Sequence, residues 1–226
     1  MHIEPGVVEG TKIALSYGTA LLAVGVLAKV SYESIRQGGL KQLLVKSLLA
    51  TLSVFVFFEV LPHHPVGVSE VHLILGSTLL LILGVAPAAI GLAAGLLIQG
   101  IFMAPFDLPQ YGMNVTTLLV PLYGMNMVAR KIIPANVAYK DITYSQTLRL
   151  SLTYQGGIIA WVAFWALYGG GFSAENLNAV ATFSLAYTSV IVLEPLVDLA
   201  VLAIAKAVGP LQSSRFFEKR LFEKAA

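Results

Sequence analysis

Apolar runs of membrane-spanning length divide this chain from end to end, and they decide its solvent before any other feature is considered. A hydrocarbon layer about 30 Å thick is crossed by roughly 17 to 25 apolar residues in a helix, and it tolerates no unpaired backbone. Runs of that kind predict helices over about 10–30, 43–60, 69–83, 88–104, 113–132, 148–168 and 178–207. Gly84 to Pro87 breaks the third run from the fourth, because proline interrupts helical hydrogen bonding and restricts the residue before it. Glu194-Pro195 marks an expected kink or break in the last and longest helix. With 57% hydrophobic and only 12% charged residues, most side chains must face lipid or other helices. The expected fold is an all-α membrane protein, a bundle of about seven transmembrane helices forming one polytopic domain over 1–226.

The cations fall on one side of such a bundle. Lys29, Arg36, Lys41 and Lys46 flank the first connection, Arg130, Lys131, Lys140 and Arg149 the fifth, and Lys206, Arg215, Lys219, Arg220 and Lys224 the tail. The opposite side carries Lys12 as its only cation, together with Glu4, Glu9, Glu70, Asp107 and Glu175. The positive-inside rule therefore predicts an external amino terminus and a cytoplasmic carboxy terminus, in a multi-pass protein of a plasma (inner) membrane.

All four histidines share the acidic outer side: His2, His63, His64 and His72. Such clustering points to a site, since neutral imidazole is a good ligand for Ni, Co, Cu and Zn. Without cysteine, metal must be held by nitrogen and oxygen. Met1-His2 adds a specific possibility: a free terminal amine, the deprotonated His2 amide and the His2 imidazole Nδ1 close two fused rings on one ion, which suits tetragonal Ni(II) or Cu(II). The start has no basic n-region or obvious cleavage site, so it reads as a mature terminus, and bulky His2 favours retention of Met1. His72, expected about one turn into the third helix, and His64, in a Pro-x-Gly turn, are the candidates for a further ligand. His63 reads as a solvated loop residue. Glu59, Glu70 and Asp107 can supply charge or hydrogen bonds around the ligands; Glu70 equally reads as an acid in a helix's first turn.

Met1-His2-Ile3, the proline- and glycine-containing loop leading to Ser69-x-x-His72-Leu73, and Tyr111-Gly112-Met113-Asn114 entering a helix resemble the CbiM/NikM type. These are the substrate-binding S components of energy-coupling-factor transporters for cobalt and nickel. The resemblance spans essentially the whole chain. It implies that the amino-terminal segment, 1–9, folds into the bundle and binds Co(II) or Ni(II), as transported substrate, through the Met1 amine, the His2 amide and imidazole, and a later histidine best matched by His72. The family's loop commonly reads Gly-Thr-Ser-Gly-His or Ser-His-Pro-Thr-Gly, and this chain partly matches each, which leaves His64 as an alternative fourth ligand. Ser69, Glu70, Asp107 and Asn114 are expected around the ligands. Asn114 would hydrogen-bond the chelating terminus, or else cap the fifth helix.

The same resemblance implies a transmembrane coupling (T) subunit, two ATP-binding subunits and a small accessory membrane subunit as partners. No Gly-x-x-x-x-Gly-Lys-Ser/Thr loop occurs here, so this chain itself is expected to bind no nucleotide, and nothing suggests nucleic acid. Gly91 to Gly95 reads as a GxxxG used in packing within the bundle. Ala14, Gly18, Ala20 and Ala28 give the first helix a small-residue face. The tail over 208–226 reads as a cytoplasmic amphipathic segment beside acidic lipid, or as a docking surface. Glu194 and Asp198, costly in lipid, should face the bundle interior or a cytoplasmic vestibule, as release-side groups or as caps of a broken helix. Two rival functions are a membrane-embedded metal enzyme, against which stands the lack of a His-Glu-x-x-His pattern, and a metal-binding or assembly protein without transport.

Overall fold

A computed structural model describes residues 3–61, 63–207 and 216–224. The chain forms helices α1 (Ala14–Gly38), α2 (Leu40–Glu59), α3 (Gly76–Leu83), α4 (Val85–Phe102), α5 (Tyr111–Ile132), α6 (Tyr144–Gly170), α7 (Ala174–Ala207) and α8 (Lys219–Phe222). A two-stranded hairpin, β1 (His64–Val66) and β2 (Ser69–Val71), is inserted between α2 and α3. Among the described residues, five helical segments are long and apolar enough to cross a membrane: Gly10–Gly38, Leu40–Glu59, Val85–Phe102, Tyr144–Gly170 and Ala174–Ala207. Their outward faces carry exposed leucines such as Leu21, Leu22 and Leu185, as expected where lipid is the solvent.

The other two expected spans differ. α5 has a spanning helix's length, at 22 residues, but Asn114, Thr116 and Thr117 make it more polar, and all three are buried in the bundle. The predicted helix over 69–83 is the larger departure. Ser69 to Val71 pairs as a strand with His64 to Val66, and only Gly76–Leu83 is helical, about 12 Å of helix in a layer of about 30 Å. Two turns cause this. Gly67 has φ +62° at the first centre of a two-residue hairpin loop, the pattern of a II′ turn. Leu75, at φ 55°, is left-handed and starts α3 late.

The break at Gly84 to Pro87 contracts to one residue. Gly84 takes φ +92° and α4 begins at Val85, with Pro87 in its first turn, where a missing N–H costs nothing. No break occurs at Glu194-Pro195: α7 runs unbroken through it. Pro195 has no N–H for the carbonyl of Ile191, and that carbonyl instead accepts the hydroxyl of Ser151 on α6, 3.0 Å away. A neighbouring helix thus repairs the backbone bond that proline removes.

Small residues close the remaining seams. A Cβ added at Gly91 would overlap that of Ala50, and one at Gly95 would meet Val54 Cγ1 at 2.5 Å, so the GxxxG face lies against α2 within the bundle. The two described ends of the chain lie at opposite ends of α5. Ile3 is bonded to Asn114 near its start, and Arg220 is bonded to the carbonyls of Ile133 and Pro134 beyond its end.

The described part of the tail docks onto protein. The Glu218 N–H donates to the carbonyl of Ile82, Arg220 stacks over Tyr139 at 4.9 Å, and Leu221 is 1% exposed. Residues 208–215 lie outside the described residues. Tyr139 sits outside the spanning helices, and burial pushes its phenol above the ordinary value while the Arg220 guanidinium pulls it down.

Candidate metal centre

The amino-terminal segment enters the bundle as a strand. Ile3 is fully buried and forms an antiparallel bridge with Ser69. Glu4 N–H donates to the carbonyl of Val68 at 3.2 Å. A two-stranded hairpin alone is marginal in water; this one gains a third partner from the chain's own start and is seated on α7 at Gly67, where any Cβ would overlap the carbonyl oxygen of Ala179.

Ile3 N–H donates to Asn114 Oδ1 at 2.9 Å, a buried bond between residues 111 apart in sequence. Asn114 therefore does not cap α5; that helix starts at Tyr111, with Gln110 before it and no side-chain cap. The bond satisfies a buried donor that strand pairing with Ser69 leaves to a side chain. Asp107 is also buried, in the 3-10 turn Pro105–Gln110. It lines a cavity of about 10 Å³ together with Tyr111 and Asn114.

His72 lies in extended chain between β2 and α3 rather than one turn into a helix, and it is 1% exposed. Its Nε2 is 2.8 Å from Glu70 Oε2. Glu70, a β2 residue paired with Pro65, is accordingly not a helix cap. Residues 70 and 72 reach the same side because side chains in an extended chain alternate with period two. The His72 ring stacks in parallel on His63, with centroids 5.0 Å apart and planes 5° from parallel, and tilts against Phe58 at 5.5 Å. His63, expected to be a solvated loop residue, is half-buried here, with Nδ1 3.2 Å from the carbonyl of Leu61. His64 pairs with Val71 in the ladder and is exposed.

The structure thus brings together Ile3, Ser69, Glu70, His72 and Asn114, with Asp107 one cavity away, and leaves His64 on the outer surface. Met1 and His2 lie outside the described residues, and among the described residues no three histidine or carboxylate side chains group as a metal cluster. Phe58, which packs against the His72 ring, escaped sequence reading, because its aromatic run is indistinguishable from any lipid-facing stretch. His63 was read as a solvated loop residue, and its stacking on that ring has no local signal.

Glu194 and Asp198 form a separate polar knot inside the bundle, where both are buried. Glu194 accepts from Gln155 at 2.6 Å and from Ser151 at 3.2 Å, and Asp198 accepts from Thr78. These bonds tie α7 to α6 and to the first turn of α3. Capping a broken helix is excluded, since α7 is continuous.

Helices of membrane-spanning length packed around buried polar side chains, with Ile3 folded in against the histidine loop, define a polytopic membrane protein. The chain belongs to the CbiM family, the cobalt uptake substrate-specific transmembrane region, whose profile matches residues 2–211. It is therefore a transmembrane component of metal uptake. Among solved structures, one described as a truncated transition metal transporter has the same fold, with a TM-score of 0.70, 18% sequence identity and coverage of 92% of this chain and 99% of that one. No curated protein sequence matches the chain.

Proposed function

We propose that the chain is the metal-capturing subunit of a Co(II) or Ni(II) uptake transporter and holds the ion through the Met1 amine, the His2 amide and imidazole nitrogens, and His72. The observation that carries this reading is the anchoring of Ile3. The residue next to His2 is buried, bridged to Ser69 three positions before His72, and fixed by Asn114. Covalent geometry keeps the His2 Cα about 3.8 Å from that of Ile3. Glu70 supports the choice of His72 over His64: accepting the Nε2–H fixes the tautomer whose lone pair is on Nδ1, a common way of orienting a ligating imidazole.

Four nitrogens in a preset arrangement select by geometry rather than by raw affinity, which would favour Cu(II). Holding strict square-planar geometry favours Ni(II), and admitting further ligands accommodates Co(II). Ser69 and Asp107 support the site from outside the ligand set. The charge distribution orients the amino-terminal end outward, so capture is external. Energy then comes from partners: a transmembrane coupling subunit, two ATP-binding subunits and a small accessory membrane subunit. Glu194 and Asp198 serve on the release side by joining α3, the first helix after His72, to α7.

Titrating the purified protein with Co(II), Ni(II) and Zn(II) tests the reading. His2→Ala and His72→Ala should each abolish tight binding, whereas His64→Ala should leave it within about twofold. Equal binding by the wild type and His72→Ala would remove His72 from the site, and dependence on His64 would put that residue in its place.

A further inference from the structure

Between Ile3 and the first helix the chain runs along the carboxy-terminal end of α6, and two independent contacts hold it there. Val8 is 1% exposed. A Cβ built on Gly169 would overlap the carbonyl oxygen of Val7 and come within 3.0 Å of Val8 Cγ2, so only glycine admits the chain at this position. Five residues after Val7, Lys12 Nζ donates to the carbonyls of Tyr168 at 3.1 Å and Gly169 at 2.9 Å, and it sits 5.7 Å from the centre of the Tyr168 ring. Terminal carbonyls of a helix lack backbone partners and carry the negative end of its dipole, which a cation complements.

We propose that Gly169 and Lys12 are positioning residues for metal capture. They latch residues 7–12 onto α6, so that Glu4 to Gly6 is held at both ends and the chain that leads to the ligating residues is fixed before the metal arrives. Neither touches the ion. The inference rests on the reading of the preceding section, and its physical content is preorganisation: a terminus already in place loses less freedom on binding than one that must first dock.

The test uses the full chain with its authentic amino terminus, in detergent, and follows Ni(II) affinity, the metal dissociation rate, the visible spectrum at saturation, and hydrogen exchange at the Ile3 amide without metal. Gly169→Ala should weaken binding by about tenfold or more, and Lys12→Met by about three- to tenfold. Both should release metal faster, exchange Ile3 faster, and yet give the wild-type spectrum at saturation, because the ligands are unchanged. Lys12→Arg should restore affinity. Gly156→Ala, on the same helix where a Cβ meets nothing within 4 Å, should match the wild type.

Affinity within twofold of wild type in both latch variants overturns the proposal, as does an altered spectrum at saturation. If Gly169→Ala fails to fold, Lys12→Met against Lys12→Arg decides. A wild type that binds no Ni(II) or Co(II) refutes the capture reading instead, and Ile3 exchange unchanged by Lys12→Met then refutes the latch separately.

Discussion

Replacing Asn114 by alanine isolates the bond that holds the amino-terminal strand in the bundle. Ile3 is fully buried and its N–H has Asn114 Oδ1 as acceptor at 2.9 Å. Leaving a buried donor without a partner costs about 1–3 kcal/mol. The strand has an escape, because it can undock and hydrate that N–H, so the loss should fall on the docked population rather than on the whole fold. If only the docked form binds metal, the apparent dissociation constant rises by up to the same free energy, at most about five- to 150-fold at 1.4 kcal/mol per decade. Asn114→Asp keeps an acceptor at this position and should lie much closer to wild type. Calorimetric titration with Co(II), read beside the melting temperature in detergent, measures both quantities. Asn114→Ala with wild-type affinity and an unchanged melt would show that the Ile3 bond does nothing for capture.

Three further outcomes follow from other contacts. Glu70→Ala removes the carboxylate that holds His72 at 2.8 Å and should weaken Ni(II) or Co(II) binding by about 10- to 100-fold, with Glu70→Gln intermediate; the same titrations check it. Glu194→Ala strips the acceptor from Gln155 and Ser151 inside the bundle and should cost about 2–5 kcal/mol, seen as a lowered melting temperature, whereas Glu194→Gln keeps an acceptor oxygen and should cost less. Gly91→Leu drives a side chain into Ala50 on α2 and should prevent a monodisperse protein from being purified, a result that size-exclusion chromatography in detergent reads directly.

Where each element begins and ends shows what sequence could reveal. Long apolar runs against sparse charge disclosed the spanning helices, since membrane insertion leaves a composition signal that tertiary contacts do not erase. The region over 69–83 misled because a three-residue strand, a short link and a short helix follow one another there, and periodicity alone does not separate such short pieces. What decides it is a left-handed Leu75 and a hairpin turn at Gly67, and the hairpin is held by contacts from Ile3 and α7 far along the chain. Pro195 looked like a break for a similar reason: the Ser151 hydroxyl that repairs α7 is 40 residues from the carbonyl it serves.

The candidate site was legible as residue types rather than as geometry. His72, Glu70, Ser69, Asp107 and Asn114 could be named from chemistry and family likeness, but their arrangement could not. The pairing of Ile3 with Ser69 that brings the start of the chain to the histidine loop has no local signature, because one bridge leaves no alternation to read. His63 illustrates the same limit. A histidine next to prolines reads as exposed, yet its ring stacks on His72.

That the free amino terminus is itself a metal ligand is tested by acetylating the Met1 amine. Acetylation converts that amine into an amide and supplies no new one, whereas a glycine added ahead of Met1 would place the histidine third, where an amine, two amides and an imidazole make a fresh four-nitrogen Ni(II) site. Ni(II) and Co(II) affinity should fall at least 100-fold while the melting temperature of the metal-free protein stays within about 2 °C of wild type, a shift of about 1 kcal/mol at most. Unchanged affinity in the acetylated protein would mean that the terminal amine is not a ligand.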